Sequence, residues 1–95
     1  MSNKKLKIIF AGTPEFSVPT LNALYEAEYQ ILLVLTQPDR KSGRGMYLKS
    51  SPVKQKAKEY SIPIFQPNSL NSEDAFKKIK KINADILIVA AYGLI

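Results

Sequence analysis

The sequence predicts an α/β protein built on a doubly wound parallel sheet. Four short, nearly continuous apolar runs are typical of strands that are covered on both faces. Segments with apolar residues three or four positions apart separate these runs, as in amphipathic helices. The resulting order βαβαβαβ favours a parallel sheet with right-handed crossovers. The predicted strands lie at 6–11, 31–35, 62–65 and 86–90, and the predicted helices begin at Ser17, at Ser51 and at Asn71 or Ser72.

Serine residues predict where the first two helices begin. Ser17 is expected to cap a first helix over residues 17–27. Ser51 is expected to cap a second helix that has Pro52 at its first position. The third helix has acidic residues in its first turn and lysines in its last turn, which suits the helix dipole. Its expected buried stripe consists of Phe76, Ile79 and Ile82.

The predicted spatial order of the strands, numbered along the chain, is 3-2-1-4. The third strand contains Pro63, which cannot donate a hydrogen bond to a ladder and therefore belongs at an edge. In this order the first and fourth strands are neighbours, and the winding direction reverses between them. Ligands of such sheets bind at the reversal, outside the carboxyl ends of the strands. We therefore expect residues 12–14 and 92–95 to line one crevice, with a basic loop at its rim.

Composition favours one small domain with an anionic partner. The 95 residues are interpreted as a single domain, 1–95, and their formal net charge of +6 promotes encounters with polyanions. The sequence contains no cysteine and no histidine. Disulfides, thiolate metal sites and a histidine general base are therefore excluded within these residues, and no metal is expected. The N-terminal apolar run is too short for a signal peptide or a membrane span, so a soluble cytoplasmic protein without an obligate protein partner is expected.

A long basic segment, residues 36–52, separates the second strand from the second helix. Its cations are Arg40, Lys41, Arg44 and Lys49, and only Asp39 opposes them. Prolines and glycines interrupt the segment, so it is predicted to be a mobile surface loop without regular structure. It is either a solvated loop that happens to be basic, or a nucleic-acid contact in which cations follow phosphates and Tyr47 stacks on a base. Length, charge and the two glycines together favour the nucleic-acid contact.

The turn after the first strand argues against nucleotide binding. A dinucleotide fingerprint needs G-x-G-x-x-G. This turn has Gly12 alone, followed by Pro14, which lacks an N–H, and Glu15, which repels phosphate. NAD and ATP are therefore not expected as ligands. On the other side of the crevice, Tyr92 is either a core aromatic residue or the wall of a pocket, and the sequence leaves both possibilities open.

Five stretches of the sequence together resemble the methionyl-tRNA formyltransferase family. They are residues 8–16 (IIFAGTPEF), 36–45 (TQPDRKSGRG), 51–54 (SPVK), 63–67 (PIFQP) and 91–95 (AYGLI). The resemblance covers nearly the whole chain. Related formyltransferases that act on glycinamide ribonucleotide share the fold but carry a glycine-rich turn after the first strand, and Thr13 and Pro14 depart from that turn.

The resemblance implies transfer of a formyl group from 10-formyltetrahydrofolate to the α-amino group of methionine on initiator tRNA. It places Arg44 at the position of the family's key loop arginine, in a loop that enters the acceptor arm. The implied phosphate contacts beside it are Arg40, Lys41 and Lys49. The implied wall of the folate pocket and active site consists of Gly12, Thr13, Tyr92, Gly93, Leu94 and Ile95.

The resemblance also sets an expectation about activity. The family's catalytic asparagine, histidine and aspartate, its Ser-Leu-Leu-Pro folate loop and its C-terminal β-barrel domain have no counterparts in these 95 residues. Residues 1–95 are therefore expected to be an inactive N-terminal part of the formyltransferase domain. The alternatives are a free-standing RNA-binding module without catalysis, and a scaffold whose positive charge is incidental.

Overall fold

The computed structural model describes residues 6–42 and 47–92, with the backbone alone at Ser42. These residues form a four-stranded parallel sheet, three α-helices and a separate two-stranded hairpin. The sheet consists of β1 (Lys7–Gly12), β2 (Gln30–Leu35), β5 (Ile64–Phe65) and β6 (Ile86–Ala90). The hairpin consists of β3 (Arg40–Ser42) and β4 (Tyr47–Lys49), and the helices are α1 (Val18–Glu26), α2 (Pro52–Glu59) and α3 (Glu73–Ile82). No helix in the two described ranges is long and apolar enough to cross a membrane.

The order of the strands in the sheet is β5-β2-β1-β6, which confirms the predicted order 3-2-1-4 and the doubly wound α/β fold. β1 is central, since Phe10 is level with Val34 on one side and with Ile88 on the other. Pro63 directly precedes β5 at the edge of the sheet, where its carbonyl accepts a hydrogen bond from the Val34 N–H at 2.9 Å. The winding reverses between β1 and β6, so the crevice predicted there can form.

Two apolar layers cover the two faces of the sheet. Alternate residues of a strand point to opposite faces. Phe10 and Val34 therefore pack against α1 and α2, whereas Ile9 and Leu33 pack on the side of α3. The first layer also buries Leu21, Val53 and Ala57, and the second also buries Ala11, Leu35 and Tyr92. The pairing registers place the carboxyl ends of β1, β2 and β6 beside one another at one edge of the sheet.

Two of the three helices begin with the predicted type of serine cap. The Ser51 Oγ accepts a hydrogen bond from the Lys54 N–H at 3.0 Å, and the Ser72 Oγ accepts one from the Ala75 N–H at 3.1 Å. Ser17 lies at the predicted N-cap position of α1, but the expected capping hydrogen bond is absent. Ser17 ends a 3-10 turn (Glu15–Ser17), and its backbone is already helical instead of extended, so its hydroxyl makes no cap and donates to the Ala90 carbonyl.

Two predictions of burial are also wrong. Phe76 is 63% exposed, and Ala75 is the buried residue of α3. Ala75 lies four and seven positions before Ile79 and Ile82, so these three residues share one face. β6 was expected to be a buried strand, but Leu87 and Val89 are 39% and 53% exposed. Within the described residues β6 pairs only with β1, which leaves its other edge uncovered.

The basic segment contains regular structure, contrary to the prediction of an irregular loop. β3 and β4 pair antiparallel, with Arg40 opposite Lys49 and Lys41 opposite Leu48. Each strand has only three residues, which is too short for a recognisable period of two. Residues 43–46, which connect the two strands in the chain, lie outside the described residues. The mobility of the basic segment stays a prediction.

Candidate functional site

A cavity of about 250 Å³ lies at the carboxyl ends of β1 and β6, where the winding of the sheet reverses. Its lining residues are Thr13, Pro14, Phe16, Gln37, Arg40, Ala91 and Tyr92. The wall is mostly apolar, and the 75% exposed Phe16 and the exposed Arg40 stand at its open side. An apolar cavity with a few convergent polar groups is the usual form of a small-molecule site.

A hydrogen-bond network around Thr13 holds the three strand ends together. The Thr13 Oγ1 donates to the Tyr92 carbonyl and accepts a hydrogen bond from the Gln37 N–H at 3.2 Å. The Thr36 Oγ1 lies 2.7 Å from the Ser51 Oγ, which connects the end of β2 to the cap of α2. Because these bonds join segments that follow β1, β2 and β6, they fix the floor of the cavity.

Tyr92 fills both of the roles that the sequence left open. Its ring is 7% exposed within the apolar layer on the α3 side, and it also lines the cavity. Its hydroxyl donates to the carbonyls of Thr36 at 3.3 Å and Pro67 at 3.4 Å. Burial raises the pKa of the Tyr92 hydroxyl above its ordinary value, so the phenol is neutral at physiological pH.

Gly12 is buried and is not among the residues that line the cavity. A Cβ atom at this position would lie 2.9 Å from the Phe10 ring and 3.1 Å from the Ala90 carbonyl oxygen. Gly12 therefore permits the close approach of β1 to β6 beneath the site, while Thr13 supplies the wall. Gly93, Leu94 and Ile95, the other predicted wall residues, lie outside the described residues.

Sequence reasoning missed three residues of the cavity wall. Gln37 follows the carboxyl end of β2, and the rule that ligands bind at strand ends could have indicated it. Phe16 carried no sequence signal beyond being apolar in a turn. Ala91 has a left-handed backbone with φ of 60°, which no local sequence feature predicts because alanine rarely adopts it. Non-glycine residues in such conformations concentrate at functional sites.

A second, cation-lined groove of about 390 Å³ adjoins the cavity. Arg40, Lys41 and Lys49 of the hairpin line it together with residues 50–52 at the start of α2. The groove and the cavity share Thr13, Pro14, Gln37 and Arg40. Arg44 lies outside the described residues. The structure thus brings together three of the four predicted cations beside the apolar cavity, with Arg40 between the two spaces.

A polar cluster anchors the base of the hairpin. The Lys54 Nζ donates to both carboxylate oxygens of Asp39 and to the Gln66 Oε1, each at 3.1 Å. The Gln66 Nε2 donates to the Asp39 Oδ1 at 2.8 Å and to the Gln37 carbonyl at 3.1 Å. The hydrogen bonds from Gln66 and then Lys54 lower the pKa of the Asp39 carboxyl below its ordinary value. Asp39 is therefore ionised at neutral pH and is engaged by α2.

Within residues 6–42 and 47–92 no group of three or more acidic, histidine or cysteine side chains is arranged to hold a metal ion. The described residues of the site provide an apolar cavity, hydroxyl and amide groups, and neighbouring cations.

The fold and the site define a Rossmann-like α/β protein with a ligand cavity at the reversal of its sheet. The chain belongs to the formyl transferase family, whose family model, described as "Formyl transferase", matches residues 4–95. Family membership confirms the resemblance found in the sequence.

Individual relatives are methionyl-tRNA formyltransferases. The chain is 56% identical over 90 residues to the protein of that name from Pseudoalteromonas translucida (strain TAC 125). It is 53% identical to the one from Hydrogenovibrio crunogenus (strain DSM 25203 / XCL-2) and 54% identical to the one from Coxiella burnetii (strain RSA 331 / Henzerling II). Each match covers 95% of this chain but only 28% or 29% of the relative. The chain thus spans less than a third of the length of these curated relatives.

Proposed function

We propose that residues 1–95 form the N-terminal part of the formyltransferase domain of a methionyl-tRNA formyltransferase. The complete enzyme would transfer a formyl group from 10-formyltetrahydrofolate to the α-amino group of methionine on initiator tRNA. The observation that carries the proposal is the adjacency of an apolar cavity and a cation-lined groove that share Arg40. One substrate of this reaction is a flat heterocycle and the other is a polyanion, and the two spaces match that pair. A cytoplasmic location follows from such a role in translation initiation.

The two spaces have separate tasks in this proposal. The apolar wall around Thr13 and Tyr92 takes part in the folate pocket, with Gly93, Leu94 and Ile95 continuing that wall. Arg40, Lys41 and Lys49 contact phosphates of the acceptor arm, and Arg44 enters it. The support for this division is the contrast between the apolar lining of the cavity and the three cations of the groove. Electrostatic contacts of this type supply affinity and orientation without base specificity.

The acyl-transfer step itself needs further groups. An acceptor for the amine proton and donors for the developing oxyanion are required. Residues 1–95 contain no histidine, and the resemblance assigns the catalytic asparagine, histidine and aspartate to other parts of the family's sequence. We therefore expect residues 1–95 alone to position substrate without catalysing transfer.

Formylation by the full-length gene product tests the proposal. Transfer of labelled formyl from 10-formyltetrahydrofolate to methionyl initiator tRNA should be detected with the full-length product and not with residues 1–95. A full-length product that binds tRNA but transfers no formyl group would contradict the enzyme proposal. That outcome would favour the second candidate, an RNA-binding module, for which the cation-lined groove is the supporting observation.

Arg44→Ala tests the assignment of the basic segment. In the full-length product we expect a fall in kcat/KM for the tRNA substrate, because a charged contact to the acceptor arm is lost, while the KM for the folate is unchanged. Lys56→Ala, on α2 and paired with Glu59 instead of with the hairpin, is the matched control. An equal effect of Arg44→Ala on both substrates would argue against a role restricted to tRNA.

A further inference from the structure

Lys54 lies beside the cation-lined groove, but its ammonium group already forms an ion pair with Asp39. Its ammonium group has three N–H donors. Three acceptor atoms surround it at 3.1 Å, namely the two carboxylate oxygens of Asp39 and the Gln66 Oε1. The Lys54 and Asp39 side chains are 18% and 29% exposed, so water competes only partly for these contacts. A lysine with three occupied donors is poorly placed to bind a phosphate.

Hydrogen bonds connect the same cluster to the wall of the cavity. Gln66 donates to Asp39 and to the carbonyl of Gln37, and the Gln37 N–H donates to the Thr13 Oγ1 at 3.2 Å. The Gln37 Oε1 in turn accepts a hydrogen bond from the Arg40 guanidinium at 3.1 Å. The backbone and side chain of Gln37 thus connect the cluster to the first residue of β3. Asp39, which directly precedes β3, accepts hydrogen bonds from both Lys54 and Gln66.

We propose that Asp39, Lys54 and Gln66 form a clamp that positions the hairpin, and with it Arg40, at the mouth of the cavity. Lys54 is a positioning residue in this inference and not a phosphate contact. The inference rests on the proposed function for its consequence in tRNA binding, but the clamp itself is a structural claim that can be tested without RNA. The clamp joins the base of the hairpin to α2 and to the residue after β5, and β3 and β4 belong to a different sheet from β5.

The two lysines of the hairpin differ from Lys54 in their contacts. Lys41 and Lys49 are exposed and line the groove, and their ammonium groups have no ion-pair or hydrogen-bond partner among the described residues. They can bind phosphates without breaking a contact within the protein, whereas Lys54 would first have to break its ion pair with Asp39. The two roles therefore predict opposite effects for Asp39→Asn. Loss of a clamp weakens RNA binding, whereas release of a phosphate-binding lysine strengthens it.

Binding of deacylated initiator tRNA to the full-length gene product separates these roles. Asp39→Asn and Lys54→Met should each weaken binding by roughly three- to tenfold, and the double variant should bind no more weakly than either single variant, because both remove one clamp. The salt dependence of binding should keep its slope. If Lys54 instead bound a phosphate, Lys54→Met would reduce that slope by roughly 0.7–0.9 and Asp39→Asn would tighten binding. That result would overturn the clamp.

In catalysis, the clamp variants should lower kcat/KM for the tRNA substrate more than they raise the KM for 10-formyltetrahydrofolate, because Arg40 lines the cavity as well as the groove. A general defect in folding would alter both substrates to a similar extent. Lys56→Met is the matched control, since Lys56 lies on the same helix and pairs with Glu59 at 3.0 Å instead of with the hairpin. It should bind tRNA as the unmodified protein does.

Amide hydrogen exchange provides the measurement that needs no RNA. Exchange in β3 and β4 should accelerate by roughly threefold or more in Asp39→Asn and Lys54→Met, with exchange in β1 and β2 unchanged, because only the hairpin loses its anchor. Unchanged exchange in the hairpin would refute the clamp even if tRNA binding fell. If the unmodified protein bound no tRNA, the proposed function would fail, and hydrogen exchange would still decide whether the clamp exists.

Discussion

Gly12 ends β1 at a point where the strand passes the carbonyl of Ala90 and the ring of Phe10. An added Cβ atom would lie 2.9 Å from that ring and 3.1 Å from that oxygen, closer than favourable van der Waals contact. We expect Gly12→Ala to lower the free energy of unfolding by roughly 1–3 kcal/mol, because the ring or β6 must move. Urea denaturation measures the change, and an unaltered midpoint would show that the strand pair relaxes without cost.

Tyr92 contributes more through its ring than through its hydroxyl. The hydroxyl makes only long hydrogen bonds, at 3.3 and 3.4 Å, whereas the ring is 7% exposed in the apolar layer. We expect Tyr92→Phe to lower the free energy of unfolding by about 0.5–1.5 kcal/mol and Tyr92→Ala to lower it by roughly 3–5 kcal/mol. Urea denaturation of both variants distinguishes the two contributions, and equal losses would assign the effect to the hydroxyl.

The raised pKa of Tyr92 adds a dependence on alkaline pH. Because the folded-state pKa lies above the ordinary value of 10.0, the neutral phenol contributes its full stability below that pH. This contribution is lost as the pH rises through the folded-state pKa. The Tyr92→Phe variant should therefore lose less stability above about pH 10 than the unmodified protein does.

At the scale of elements, β4 places an aromatic residue on the same face of the hairpin as Lys49, a cation of the groove. Side chains alternate along a strand, so Tyr47 and Lys49 share a face, and Leu48 points to the other. Tyr47 is 76% exposed and can stack on an unpaired base. We expect Tyr47→Ala to weaken binding of initiator tRNA by roughly 1–3 kcal/mol. Leu48→Ala is the matched control, and equal losses in a tRNA filter-binding assay would argue against stacking.

Helix α2 connects the two halves of the site. Its cap, Ser51, contacts Thr36 at the end of β2, and its third residue, Lys54, holds the base of the hairpin. The first turn of one short helix therefore determines the position of both the cavity floor and the cationic groove. This arrangement accounts for the position of the base of the hairpin beside the cavity.

At the scale of the whole molecule, some cations of the described residues line the groove and others lie far from it. The hairpin cations line the groove at the carboxyl ends of the strands, whereas Lys80 lies near the start of β6, at the opposite edge of the sheet. Charges far from a contact affect the rate of encounter, and charges within it affect dissociation. The two regions should therefore differ in kinetics.

We expect Lys80→Gln to slow association with initiator tRNA at low salt and to leave dissociation unchanged. Lys49→Gln should accelerate dissociation, because it removes a cation from the groove itself. Stopped-flow measurements at two salt concentrations separate the rates. Faster dissociation of Lys80→Gln would place RNA on α3 and contradict the assignment of the groove.

The fold was predictable from the sequence to the extent that its signals are local. Ser51 and Pro52 specify a helix start within four residues, and continuous apolar runs specify the strands of the sheet. Pro63 places its strand at an edge because it lacks a donor. Connection rules then limit the possible strand orders, which made the cavity between β1 and β6 predictable without coordinates.

The sequence by itself determined the class of fold, the order of the strands and the family, whereas the tertiary structure alone decided how the site is assembled. Phe76 and Ala75 are neighbours in the sequence, and only packing against the sheet shows which one is buried. Asp39 is 15 residues from Lys54 and 27 from Gln66, so no local pattern reveals their contact. The physical reason is that capping and periodicity depend on adjacent residues, whereas pairing, burial and hydrogen bonding depend on which distant segments the fold brings together.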